Sequence, residues 1–198
     1  ACGYLVTDWG DGGHWQPLAV SLAGYVYGAA LAWGGTRNRD LDLAQAMDLF
    51  GGTQGYGDAL LRLGDLYLRC GALRGNASEL FLLLAKPRGR ALPAGITTET
   101  LRDVLGAADD IARALPAEQA SVVGQEVCHV IRLLRAACRR GIALLDGSID
   151  APAARMALAA EQAALMAAHA SVWRLHNREG GLSDSLARME AIRREYIT

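Results

Sequence analysis

The sequence has a single lysine, Lys86, and no cluster of basic residues, although arginine brings the basic total to 20 against 21 acidic residues. The formal net charge of −1 therefore provides no basic surface for nucleic acid or for an anionic membrane. We expect neither of these as a main partner.

Long apolar runs and closely paired cysteines are also missing. The hydrophobic fraction is 52%, much of it alanine, yet no run approaches the roughly 18 to 20 uninterrupted apolar residues of a membrane span. The four cysteines lack C-x-x-C spacing, which predicts reduced structural thiols and a cytoplasmic location; they are Cys2, Cys70, Cys128 and Cys138. Since Ala1 is neither an initiator Met nor the charged start of a signal peptide, we expect a piece of a longer protein.

The first 33 residues predict one strand–loop–helix unit. Residues 3–7 are β-prone, residues 8–16 are rich in glycine and polar side chains, and Pro17 precedes an apolar stretch at 18–33. Because that stretch is apolar almost all round, we expect a helix that neighbours cover on most of its surface.

After residue 34 the pattern is helical. Glycines, prolines and capping residues, including Asn76 and Ser183, divide it into segments predicted at 40–49, 58–70, 77–85, 99–115, 117–145 and 152–176, with a last helix after residue 183. For 152–176 the spacing of Met156, Ala160, Ala163 and Trp173 predicts the buried face. The long segments predict an antiparallel helical bundle.

The loop at 8–16 has the composition of a carbohydrate site. It contains two tryptophans, two aspartates and a histidine among glycines. An indole face packs on the apolar C–H face of a pyranose, and a carboxylate accepts hydrogen bonds from its hydroxyls. The alternative is a rigid turn in which Trp9 and Trp15 are ordinary core residues. His14 either contacts substrate or holds the loop.

Residues 3–11, Gly-Tyr-Leu-Val-Thr-Asp-Trp-Gly-Asp, resemble the last barrel strand of glycoside hydrolase family 20, the β-N-acetylhexosaminidases. That strand ends in Trp-x-Glu, and the resemblance implies that Trp9 walls the sugar subsite and that Asp11, in place of Glu, binds sugar hydroxyls. Residues 29–33 resemble the end of the final barrel helix. The rest, including residues 173–185, resembles the C-terminal helical domain of the three-domain bacterial members, which implies a homodimer.

The resemblance implies a fold and an activity. The fold is mainly α: residues 1–36 would be the last strand, loop and helix of an incomplete catalytic β/α barrel, and residues 37–198 an α-helical domain. The activity is exo-acting removal of terminal β-linked N-acetylhexosamine by substrate-assisted retaining hydrolysis, without a cofactor. The catalytic Asp-Glu pair would lie upstream of Ala1, so this chain would hold substrate-binding but no catalytic residues.

Other candidate residues have plainer interpretations. The adjacent Asp109 and Asp110 lie in a predicted helix, where a solvated face is expected, and the histidine spacings predict no metal site. The cluster at 173–178 is either an ordinary helix end or a helix end that returns to the sugar pocket. Two other readings of the whole chain stay open, namely a non-catalytic helical interaction module and part of another barrel glycosidase.

Overall fold

The structure is a computed structural model that describes residues 3–75, 77–116 and 120–197. These residues form α-helices and no β-strand, so the expectation of a mainly α chain is confirmed, while no barrel unit is formed within them. The helices are α1 (Leu22–Gly34), α2 (Leu43–Gly51), α3 (Tyr56–Asp65), α4 (Glu79–Ala85), α5 (Thr98–Ala114), α6 (Val122–Leu145), α7 (Pro152–His176) and α8 (Leu182–Ile197). Short 3-10 turns extend α1 on both sides, at Leu18–Ser21 and Gly35–Asn38.

The strand expected at residues 3–7 is absent, because residues 3–10 carry no regular secondary structure. A strand needs a partner for its backbone N–H and C=O groups, and the described part of the chain offers none. The segment instead lies across α1, where a Cβ built on Gly28 would be 2.7 Å from Cγ2 of Val6. The order of the predicted unit is kept as extended segment, loop and helix.

Capping side chains account for half of the eight helix starts among the described residues. Asp42, Ser78 and Ser121 each accept a hydrogen bond from a backbone N–H in the first turn of α2, α4 and α6, and Thr97 forms a capping box with Thr100 at α5. The expected cap at Ser183 is wrong, since α8 already begins at Leu182. The expected cap at Asn76 and the predicted start at 117 lie outside the described residues.

Helix α6 is the centre of the fold and packs against α4, α5 and α7, while α7 packs against α8. Its buried Arg140 donates hydrogen bonds to the Tyr196 hydroxyl (2.5 Å), the Glu195 carboxylate (2.9 Å) and the Lys86 carbonyl (3.0 Å). A buried charge is tolerated when it is paired and hydrogen-bonded in this way. The loop that follows Lys86 is thereby fixed to the bundle.

The predicted buried face of α7 is mostly wrong. Met156 is 74% exposed and Ala160 and Ala163 face solvent, whereas Trp173 is buried as expected. Alanine side chains give little contrast between faces, and the bulkier residues mark the buried side instead: Leu158, Leu165, His169 and Val172.

Helix α1 is poorly covered, which corrects the expectation of a helix surrounded by neighbours. Only Leu22 and Gly28 are buried in it, and Trp33 is 94% exposed. With its flanking turns it forms a segment, Leu18–Asn38, that is long and apolar enough to cross a membrane, with 17% of that stretch buried. The segment contains Ser21 and ends in Thr36, Arg37 and Asn38, so it holds no uninterrupted apolar run of that length, and the expectation that rests on such runs is not contradicted. A core helix and a signal sequence meet the same criterion.

Candidate functional site

The loop at 8–16 is a tight turn that depends on glycine. The N–H of His14 donates to the carbonyl of Gly10 (3.0 Å), and Gly12, Gly13 and His14 all have positive φ, at 79°, 117° and 53°. A Cβ on Gly13 would lie 2.7 Å from the indole nitrogen of Trp15. Glycine at this position is required both by the backbone conformation and by the close packing.

The two tryptophans of the loop have opposite environments. Trp15 is 3% exposed, and its ring meets Phe81 of α4 edge-on with centroids 5.6 Å apart, so it is a core residue. Trp9 is 73% exposed, although its loop is fixed at both sides. Its indole N–H donates to the Thr7 hydroxyl (3.3 Å), and the Gln16 side chain donates to its carbonyl (2.9 Å). The structure thus holds a large aromatic face in solvent.

Trp9 and Asp11 lie on a cleft of about 880 Å³ between the loop, α4 and α6. Its floor is apolar, with Phe81, Leu134 and Ala137 among the lining residues, and Asp8 and Lys86 add charge of both signs. Asp8 is itself held by the Ser21 hydroxyl at 2.5 Å. The volume, an apolar floor and a few polar groups are typical of a small-molecule site.

His14 does not line this cleft. Its ring packs perpendicular to that of Trp173 with centroids 5.6 Å apart, and the buried Trp173 indole donates to the Arg178 carbonyl (2.6 Å). The end of α7 therefore contacts the loop through His14, whereas none of residues 173–178 lines the cleft. These contacts give His14 a role in holding the loop.

A buried polar chain that the sequence did not indicate joins three helices behind the loop. Nε2 of His129 in α6 lies 3.4 Å from Nδ1 of His169 in α7. Nε2 of His169 lies 2.9 Å from the hydroxyl oxygen of Ser185 in α8. Ser185 in turn donates to the carbonyl of Gly13 at 2.5 Å. Burial lowers the pKa of His129 to about 3 and that of His169 to about 4, so both rings are neutral near neutral pH.

Glu126 is a second functional candidate that the sequence did not predict. It is 2% exposed and accepts a hydrogen bond from the N–H of Ala19 (3.0 Å), where the segment that leads into α1 begins with no side-chain cap of its own. Its other oxygen lies 3.3 Å from Nε2 of His176. Burial raises its pKa, against the Ala19 hydrogen bond, which lowers it. A glutamate on the apolar face of α6, next to Val127, was the available signal.

The adjacent aspartates of α5 have the solvated positions expected of them. Asp109 and Asp110 lie on the surface of α5 in ion pairs with Arg135 and Arg113. Cys70, Cys128 and Cys138 form no disulfide bond. Across residues 3–75, 77–116 and 120–197, no three His, Cys, Asp or Glu side chains are grouped so that they could hold a metal ion.

Comparison with known proteins finds no protein-family model, no curated protein and no solved structure that matches this chain.

Proposed function

We propose that this chain is the C-terminal part of an exo-acting β-N-acetylhexosaminidase related to glycoside hydrolase family 20, and that residues 8–16 form one wall of its sugar-binding site. The observation that carries the proposal is the exposed Trp9 indole beside Asp11 on the cleft. Leaving an indole in solvent forgoes the favourable burial of its large apolar area, and a bound pyranose would restore that burial.

In this proposal Trp9 encloses the sugar ring and Asp11 accepts hydrogen bonds from hydroxyls remote from the scissile bond. Both groups supply orientation and binding energy. An Asp-Glu pair from the rest of the barrel carries the chemistry. Its Glu protonates the glycosidic oxygen, its Asp orients the 2-acetamido group, and that group attacks the anomeric carbon with retention of configuration.

The uncovered surface of α1 supports a partner in the form of the remaining barrel. A helix whose apolar side chains are mostly only half-buried, with Trp33 exposed, next to a segment without a strand partner, is what we expect of a β/α unit whose neighbours are missing. A homodimer and a cytoplasmic location belong to the same proposal, and the lack of a disulfide bond at Cys70, Cys128 and Cys138 supports the latter.

The test is hydrolysis of a chromogenic β-N-acetylglucosaminide by the enzyme that contains this chain. Trp9→Ala is expected to lower kcat/KM by about 100-fold, or roughly 2.7 kcal/mol of transition-state stabilisation, and Asp11→Asn by about tenfold. Phe50→Ala is the matched control, because Phe50 is also an exposed aromatic residue but lies on α2, away from the cleft and from α1.

Two results would contradict the proposal. One is an enzyme without activity on this substrate. The other is an active enzyme in which Trp9→Ala and Phe50→Ala behave alike.

A further inference from the structure

A hydrogen bond from Ser185, near the C-terminal end of the sequence, holds the loop at Gly13. The two residues are 172 positions apart, and the Ser185 hydroxyl is 2.5 Å from the Gly13 carbonyl oxygen. Ser185 is 2% exposed, so water does not compete for this hydrogen bond. Gly13 lies between the two positive-φ residues that shape the turn.

The donors and acceptors among His129, His169 and Ser185 follow from the Gly13 carbonyl, to which Ser185 is hydrogen-bonded. Since the Gly13 carbonyl can only accept, the Ser185 hydroxyl donates to it and accepts from Nε2–H of His169. The neutral His169 ring then has a free lone pair on Nδ1, which accepts from Nε2–H of His129. This assignment leaves Nδ1 of His129 without a proton, in agreement with its lack of a hydrogen-bond partner. Each ring is thus held in one tautomer.

The hydrogen bonds of His129, His169 and Ser185 connect the loop to the helical bundle. His129, His169 and Ser185 lie on α6, α7 and α8, and α7 packs against both of the other two helices, while the loop itself begins in a segment without secondary structure. Within the loop, the His14 N–H to Gly10 bond and the Gln16 bond to Trp9 pass this restraint on to the exposed indole. A hydroxyl on α8 is therefore placed to fix the position of Trp9 and Asp11.

We infer that Ser185, oriented by His169, is a positioning residue for the sugar-binding loop, so that the helical part of the chain sets the affinity of the site for its N-acetylhexosamine substrate. The inference rests on the proposed function. Ser185 acts through the loop and touches no substrate.

The experiment compares Ser185→Ala with Ser183→Ala in the full enzyme. Ser183 is exposed on the same helix, so its variant makes the same chemical change without reaching the loop. Ser185→Ala is expected to raise KM for the chromogenic substrate about tenfold while kcat stays within about twofold, because a loosened loop weakens binding without removing a reacting group. Ser185→Thr, which keeps the hydroxyl, is expected to restore KM.

Hydrogen exchange measured by mass spectrometry reads the loop without any sugar. Backbone amides of residues 8–16 are expected to exchange faster in Ser185→Ala, while those of α5 stay unchanged. If the alanine variant does not fold, Ser185→Cys replaces it, because the thiol fills nearly the same space but is a weaker hydrogen-bond donor. The same faster exchange of residues 8–16 is expected.

The outcomes separate this inference from the proposed function. Wild-type KM in Ser185→Ala, in an enzyme that Trp9→Ala impairs, would overturn the inference, and so would unchanged exchange of the loop. If the enzyme hydrolyses no N-acetylhexosaminide, the proposed function fails; faster exchange of residues 8–16 would still uphold the anchoring by Ser185, although not its effect on a sugar.

Discussion

The buried histidine pair should make the protein lose stability as the pH falls from 7 to about 5. The pKa of His129 is about 3 and that of His169 about 4 in the folded state, against 6.5 for an unperturbed histidine. Because the folded values are depressed, the unfolded chain binds more protons below about pH 6.5, and stability falls with pH. At about pH 5 each ring costs about 2 kcal/mol, so the pair costs about 4 kcal/mol.

This magnitude depends little on the folded pKa values, since both lie below 5. Glu126 acts in the opposite direction, because burial raises its pKa and the folded state takes up its proton more readily on acidification. Comparison with the double variant His129→Gln/His169→Gln cancels that contribution, as Glu126 is present in both proteins. The difference in pH sensitivity between wild type and variant therefore belongs to the two rings.

The assay is urea unfolding of wild type and double variant at pH 7 and about pH 5, followed by circular dichroism of the helices. The wild-type midpoint should fall by about 2 M more than that of the variant, if the denaturant slope is about 2 kcal/mol per molar. Equal shifts in the two proteins would refute the reasoning, because they would mean that the rings are not held neutral in the folded state.

Three further predictions concern packing, capping and thiol access. Gly57→Ala should lower the free energy of unfolding by about 1 to 3 kcal/mol, since its Cβ would lie 2.0 Å from a backbone carbonyl oxygen of α2. Gly64→Ala on the same helix meets no atom within 4 Å and should raise the free energy of unfolding by about 0.5 to 1 kcal/mol. Thermal unfolding measures both variants, and equal effects would contradict the close approach of α2 and α3. Glu126→Ala should cost about 1 to 3 kcal/mol in the same assay because it leaves a buried backbone N–H without an acceptor, and Glu126→Gln, which keeps an oxygen, should cost less; the reverse order would be inconsistent with capping. Cys138, buried and with a pKa raised to about 12, should resist iodoacetamide in the folded protein and react only after unfolding, as peptide mass spectrometry would show; rapid labelling of the native protein would disprove its burial.

The helical part of the fold could be predicted from the sequence because its signals are local. The segment 152–176 was expected as a helix with these bounds, and α7 spans Pro152–His176, since Pro152 occupies a first-turn position. The face that α7 buries could not be predicted in the same way. Its alanines are equally suited to either side, and the burial of His169 depends on partners in α6 and α8.

The candidate site was predicted only where its signals are local. Residues 8–16 were recognised as a loop with sugar-binding chemistry from their composition, and the structure brings Trp9 and Asp11 to one cleft while it turns His14 towards Trp173. The hydroxyl of Ser185 could not be connected with Gly13 from the sequence, because nothing local relates two residues 172 positions apart. The missing strand at residues 3–7 has a similar origin, since β-propensity forms a strand only beside a partner.

The most direct test of the central claim is a crystal structure of the enzyme that contains this chain, with N-acetylglucosamine bound. The account predicts that the apolar face of the sugar ring packs on the Trp9 indole, at about 4 Å, and that a hydroxyl donates to the Asp11 carboxylate. A sugar bound at a site that touches neither residue would contradict the claim.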